Sequence, residues 1–306
     1  MPYICYRTEN GLEALQTLLG LNQHEIEDVL LVAIDFEGAE IIQASFQPDP
    51  VKQNGPEINR MYRNTQLGTS VLDTRDLKLQ LEQPQQIEAG ASSIISTQSF
   101  CTGSLIRWKA ILEHFKFGIT EAISVYDIAD RVRQALKVSD DNSEFRKIVV
   151  VGHEVECEIR TLDSLRLCSH DLEEVVSVLD TTLIAKEVFP SRGGRSMSLL
   201  NLCSELGVPC HKDDHHLAGN DANFTLRVLL LLVARSYEGL AHEGEGDEAR
   251  LIDLLQKLGQ KPLPPPMPLF QLGRLIAPQP KKPLDDPDVP IDPSYFKRQK
   301  LFLNGR

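Results

Sequence analysis

The architecture follows from one segment, Val29-Leu-Leu-Val-Ala-Ile-Asp-Phe-Glu37. Its six leading apolar residues run without polar alternation, the pattern of a central strand buried on both faces. The run stops at Asp35-Phe-Glu37 and then Gly38, so a buried strand delivers two carboxylates to a polar edge. Separated by one residue, both side chains leave the same face of the strand. Two carboxylates side by side repel unless a cation neutralises them, and hard cations such as Mg²⁺ prefer carboxylate oxygen together with phosphate. Taken alone, the pair also fits a solvated strand end.

Beyond this segment, Ile41–Phe46 and Ser70–Asp73 read as two further strands, the first closing a hairpin with Val29–Ile34 through Gly38. Lys147–Gly152 reads as a fourth strand and Val175–Leu179 as a fifth, ending at Asp180. Helical spacing is predicted at Leu12, Leu15, Leu18 and Leu19, twice between Ser104 and Lys137 with a break at Gly118, and from Val155 onward. Ser198–Leu206, Asp221–Arg235 and Ala249–Leu258 are also helical, and Asp221–Arg235 is apolar on more than one face and therefore buried. The expectation is an α/β protein with a five-stranded mixed sheet flanked by helices. Residues 79–98 are polar without periodicity and read as a surface insertion. Residues 1–27 form a helical extension, 28–260 the core domain, and 261–306 a tail. Eleven of the 18 prolines lie between Pro262 and Pro293, a density that excludes regular helix or central strand. The acidic stretch 238–248 reads as an exposed loop.

With 306 residues, 42% hydrophobic and 25% charged, the chain is not disordered throughout and is long enough for one sizeable core. Lys+Arg 32 against Asp+Glu 44 gives a net charge of −12, which argues against coating nucleic acid by bulk charge and leaves room only for a local basic groove. No apolar run approaches the roughly 18 residues of a membrane span. The N-terminal MPYICYRTEN lacks the pattern of a secretory signal. Six scattered cysteines fit reduced thiols. The expected setting is intracellular, cytoplasmic or nuclear, without a membrane.

Two more clusters carry polar chemistry. Gly152-His-Glu-Val-Glu-Cys-Glu158 follows the fourth strand and opens a helix, where acidic residues are also favoured by the helix dipole alone. His215-His216-Leu-Ala-Gly-Asn-Asp221-Ala-Asn-Phe-Thr225 places an imidazole five positions before a carboxylate at the start of the buried helix. Histidine titrates near neutrality and suits a general base that activates water. Together the three clusters resemble the DEDDh family of 3′→5′ exonucleases, on the ribonuclease-H-like fold. Asp35-Phe-Glu37 looks like its first motif, D-x-E. Gly152-His153 with an acidic residue at 158 looks like its second, G-H-N-x-x-x-D. His216-x-Ala218-x-x-Asp221-Ala222-x-x-Thr225 fits its third, H-x-A-x-x-D-A-x-x-T, position by position. Leu72-Asp73-Thr74 and Asp180-Thr181 look like accessory patterns of the family. Within it, His-x-Ala-Gly-Asn-Asp-Ala with Phe115-Lys-Phe-Gly118 is most similar to a fungal branch that includes an mRNA-export cofactor and an exonuclease-like partner of Argonaute. The resemblance covers about residues 28–236.

The resemblance implies two Mg²⁺ or Mn²⁺ ions about 3.5–4 Å apart, held by Asp35, Glu37, Glu158 and Asp221, with His216 as the base for the attacking water. The implied substrate is nucleic acid, RNA or DNA, entered at single-stranded 3′ ends, and the products are nucleoside 5′-monophosphates. The second motif departs from the pattern: Glu158 stands at the aspartate position and Glu154 at the asparagine. Glutamate reaches one methylene further, and Mg²⁺ demands near-ideal geometry. Glu156 is the second-ranked ligand. A decayed site would instead make the chain a binding module in an RNA-export or silencing complex, docking a protein partner through the tail with Pro264-Pro-Pro266 and Lys297-Arg-Gln-Lys300.

Other features compete less well. Cys203, Cys210, His211, His215 and His216 are zinc-ligand types at close spacing, but the spacing is not that of a standard finger and His216 has the better match above. The loop histidines are therefore expected to be exposed. Arg192 and Arg195 could touch phosphates, and Phe100 or Trp108 could stack on bases, although Trp108 falls on the apolar side of a predicted helix.

Overall fold

The computed structural model describes residues 10–46, 65–83, 94–103, 114–139, 145–167, 172–192, 196–238 and 246–265. Among them, six strands form one sheet: β1 (Leu30–Glu37), β2 (Gln66–Asp73), β3 (Ile95–Cys101), β4 (Thr120–Ala122), β5 (Ile148–Gly152) and β6 (Val175–Asp180). The order is β4-β3-β2-β1-β5-β6. β1 runs antiparallel to β2 and parallel to β5, so the strand bearing Asp35 and Glu37 lies in the middle of the sheet.

The nine α-helices of the described residues are α1 (Gly11–Leu18), α2 (Ala39–Phe46), α3 (Thr74–Glu82), α4 (Ile128–Leu136), α5 (Glu156–Ser164), α6 (Thr181–Val188), α7 (Leu199–Leu206), α8 (Ala218–Ser236) and α9 (Asp247–Gly259). They cover both faces of the sheet, which explains the unbroken apolar run in β1. Leu31 and Ala33 enter one core with residues of α1, α6, α7, α8 and α9. Leu30, Val32, Ile34 and Phe36 enter the other with residues of α2, α4 and α5. Asp35 and Glu37 continue the Leu31, Ala33 row by the period of two, and so face the α8 side. α8 is buried from Ala218 to Ala234. Among the described residues no helix is long and apolar enough to cross a membrane.

Three elements differ from the sequence expectation. Ile41–Phe46 is not a strand but lies in α2, where Ala39 and Ile42 are buried three positions apart after Gly38 turns the chain at φ 75°. A short apolar run does not distinguish the two states, and the antiparallel partner of β1 is β2. Residues 79–98 are not one insertion: 79–82 end α3 and 95–98 begin β3, while 84–93 fall outside the described residues. β3 lacks an apolar pattern because its hydroxyls are satisfied in the interior. Ser70 Oγ lies 2.9 Å from Thr97 Oγ1, Asn223 Nδ2 donates to Thr97 Oγ1 at 2.8 Å, and Thr120 Oγ1 donates to Ser99 Oγ at 3.0 Å. β4, where only a helix break is expected, completes the six. The proline-rich range from 266 on, most of the acidic loop, and Trp108 in the first helix predicted after Ser104 lie outside the described residues.

Candidate metal centre

The start of α8 lies directly on the middle of the sheet because small residues let it. A Cβ on Gly68 of β2, the residue opposite Asp35, would stand 1.8 Å from the Ala218 carbonyl oxygen, and one on Gly219 would stand 2.7 Å from the Phe115 ring. Gln66, opposite Glu37, fastens the same turn by accepting from the Ala218 N–H at 3.3 Å and donating to the His216 carbonyl. Asn220 pins the flanking segments: it accepts from the Lys116 N–H at 3.0 Å and donates to the carbonyls of His114 and Asp214. Lys116 also pairs with Asp214 at 2.9 Å. Sequence reading does not single out Gln66 or Asn220 for this work. The one signal for Asn220 is its place inside the H-x-A-G-N-D phrase.

This contact brings together the carboxylates of Asp35, Glu37 and Asp221, with one oxygen from each within 4.8 Å of the others. Asp35 Oδ2 is buried without a hydrogen-bond partner. Burial, then the charges of Asp221, Glu158 and Glu37, push the Asp35 carboxyl well above the ordinary range. Burial and Asp221 also raise Glu37, against the opposing pull of His216. Glu158, in the first turn of α5, is 6% exposed and outside the 4.8 Å group, with Oε2 buried and unpartnered. Burial is the main reason its carboxyl rises to about 7. Glu156, the second-ranked ligand, is exposed, and Glu154 turns outward to accept from Ser196 Oγ at 2.8 Å.

The two adjacent histidines part company. His216 has φ 59°, a left-handed conformation uncommon outside glycine. That kink throws its ring into solvent, 91% exposed, with Nδ1 3.5 Å from Glu37 Oε1. His215 turns inward, 6% exposed, and its Nδ1 lies 2.9 Å from Asp221 Oδ1. The expectation of exposed loop histidines therefore holds for His211 and His216 and fails for His215, because the kink at 216 reverses the direction of successive side chains.

The accessory Asp-Thr pairs are structural. Asp73 and Asp180 cap α3 and α6 through the N–H groups of Arg75 and Thr182. Thr74 Oγ1 bonds to the Val29 carbonyl before β1, and Thr181 Oγ1 donates to the Gly152 carbonyl at the end of β5. His153 is held at Nδ1 by Thr181 Oγ1 at 2.9 Å, and burial lowers its pKa. Phe100 does not present a stacking face: it is buried, with the Arg131 guanidinium 5.2 Å above its ring. Arg195 and the side chain of Arg192 lie outside the described residues.

Residues 59–232 match the family described as DNA polymerase III subunit epsilon-like, C-terminal domain, of the DEDDh class. The chain belongs to this DEDDh family. The matched span contains the second and third motifs and ends within α8, while Asp35 and Glu37 precede it and join the site through the pairing of β1 with β2. The six-stranded mixed sheet flanked by helices is the family's ribonuclease-H-like fold, one strand larger than expected from sequence. No curated protein matches the chain.

The donor set fits hard divalent cations. It consists of carboxylate oxygens, Asp35 and Glu158 carry buried unpartnered oxygens, and the mutual repulsion at Asp35 is the kind that a cation relieves.

Proposed function

We propose that the protein is a metal-dependent 3′→5′ exonuclease that hydrolyses terminal phosphodiesters of single-stranded RNA or DNA and releases nucleoside 5′-monophosphates. The observation that carries this reading is the meeting of Asp35, Glu37 and Asp221 within 4.8 Å, beside an exposed histidine. Asp35, Glu37, Glu158 and Asp221 would hold Mg²⁺ or Mn²⁺. Bound there, such ions would supply the positive charge that offsets the carboxylates and stabilises the phosphate during in-line displacement. Glu37 steadies the His216 ring through Nδ1 and leaves Nε2 to take the proton of the attacking water. Gln66 and Asn220 fix the turn that carries His216 and Asp221, so that base and carboxylate keep their spacing.

The two phrases on which the similarity to the fungal branch rests pack against each other. Phe115 lies against Gly219, Lys116 is bonded to Asn220 and Asp214, and the Phe117 ring meets Phe224 edge-on at 5.9 Å. A second reading, a binding module with weakened chemistry, is favoured by Glu158 alone, which stands outside the group that Asp35, Glu37 and Asp221 form.

The experiment follows 5′-labelled single-stranded RNA and DNA with Mg²⁺ or Mn²⁺, using the wild type and Asp35→Asn. A ladder shortening from the 3′ end and absent in the variant is the expected result. Intact oligonucleotide with either metal, in folded protein, overturns the enzyme reading. Cleavage gained only by Glu158→Asp would assign the wild type to the binding module.

A further inference from the structure

A second group of potential ligands meets behind Asp221, and the nuclease chemistry uses none of it. One ligand atom each from Cys203 in α7, Cys210 in the following loop and His215 before α8 lies within 4.8 Å of the others. Both cysteines are free thiols, Cys203 fully buried and Cys210 half-buried. His215 is buried, its Nδ1 is taken by Asp221, and its ring also meets the Cys210 thiol, with Nε2 sealed from solvent. A thiol is a weak hydrogen-bond partner, so a sealed imidazole nitrogen set against the Cys210 sulfur needs an explanation.

We propose that Cys203, Cys210 and His215 form a zinc site, with Nε2 as the imidazole ligand. Thiolate and imidazole donors select zinc over Mg²⁺, which separates this site chemically from the carboxylate group. A zinc-bound histidine characteristically gives its other ring N–H to a carboxylate, and Asp221 Oδ1 occupies that place at 2.9 Å. Zn–S bonds of about 2.3 Å and Zn–N bonds of about 2.0–2.1 Å in a tetrahedron set ligand atoms roughly 3.6–3.8 Å apart, so the group needs only modest contraction. The Cys203 thiol is already hydrogen-bonded to Cys210, so zinc would take the place of the proton between the two sulfurs. Thiolate is the form that binds metal. His211 is not a ligand, being exposed and turned to Asp213. Three protein ligands leave a fourth position for water at the half-buried Cys210 side. Zinc here would tie the end of α7 to the entry of α8 and fix Asp221 through His215.

The test uses the full-length protein purified in reductant without chelator. Elemental analysis should find one zinc per chain, and exchange for Co²⁺ should produce thiolate-to-cobalt charge-transfer absorption. Cys210→Ser, at a half-buried position that tolerates the smaller atom, should cut that absorption to the level of a single thiolate and weaken zinc binding by more than about 10-fold, the lower range for losing even a supporting partner. Asp35→Asn should leave both readouts unchanged, which keeps this outcome separate from the nuclease reading. As a second measurement, added zinc should slow alkylation of Cys203 and Cys210 and leave Cys157 unaffected. The proposal is overturned if folded protein shows neither zinc nor charge transfer, if the absorption is undiminished in Cys210→Ser, or if Cys203 and Cys210 pair as a disulfide with zinc present.

Discussion

Replacing Glu158 by glutamine removes a buried charge while keeping the side chain's shape, and the structure fixes how stability should respond to pH. The Glu158 carboxyl rises from 4.5 to about 7, principally through burial. A group whose pKa is higher in the folded state contributes its full stability below the unfolded value and loses it as pH rises through the folded value. Without divalent ions the wild type therefore loses stability between about pH 4.5 and pH 7. A rise from 4.5 to about 7 corresponds to about 3 kcal/mol once the group is ionised. Glutamine avoids that loss but places an amide where Oε2 has no partner, which costs about 1 kcal/mol at any pH. The variant should be more stable than the wild type by about 2 kcal/mol near pH 8 and slightly less stable near about pH 4.5. Urea denaturation in chelator across this range measures the difference directly. A stability difference that does not change between the two ends would refute the account of Glu158 as a buried, neutralised carboxyl. Mg²⁺ added to the wild type should recover part of the lost stability, and recovery should be smaller in the variant.

Gly68→Ala places a methyl 1.8 Å from the Ala218 carbonyl oxygen, so α8 must retreat to clear it. A displacement of about 1 Å costs catalysis about 10²-fold, while the overpacking costs stability about 1–3 kcal/mol. Nuclease rate and denaturation midpoint check both, and unchanged values would contradict the close approach. Asp73→Asn leaves the Arg146 guanidinium, 5% exposed, with the exposed Asp28 as its one ion-pair partner among the described residues, at a cost of about 3 kcal/mol. Burial opposes it, but bonds from Arg146 and Arg75 hold Asp73 down at about 2. This contribution is fully present above the ordinary carboxylate value of 3.8 and is lost as pH falls through about 2, so acid titration of the variant should lack that component.

The legible parts of the fold are those written in local spacing. β1, β5, β6 and α8 announce themselves because apolar residues dominate them, and a two-sided or all-round apolar pattern has one physical use, burial. β3 stays hidden because Thr97 and Ser99 satisfy their hydroxyls against Ser70, Asn223 and Thr120, residues remote in sequence. α2 reads as a strand because the short run Ile41–Phe46 fits either period.

For the site, local sequence sets which residue types are available and the spacing within each cluster. Asp35 and Glu37 share a strand face because they are two apart, and Asp221 opens a buried helix because the apolar pattern begins there. What those clusters face is settled by folding alone. Folding sets the approach of α8 to Gly68, the burial of Glu158 and exposure of Glu156, and the division of labour between His215 and His216. It also gathers Cys203, Cys210 and His215 into one group. Local periodicity records which face of an element is buried, whereas the partner across that face depends on contacts between distant segments, and a single backbone kink such as that at His216 reverses which neighbour points inward.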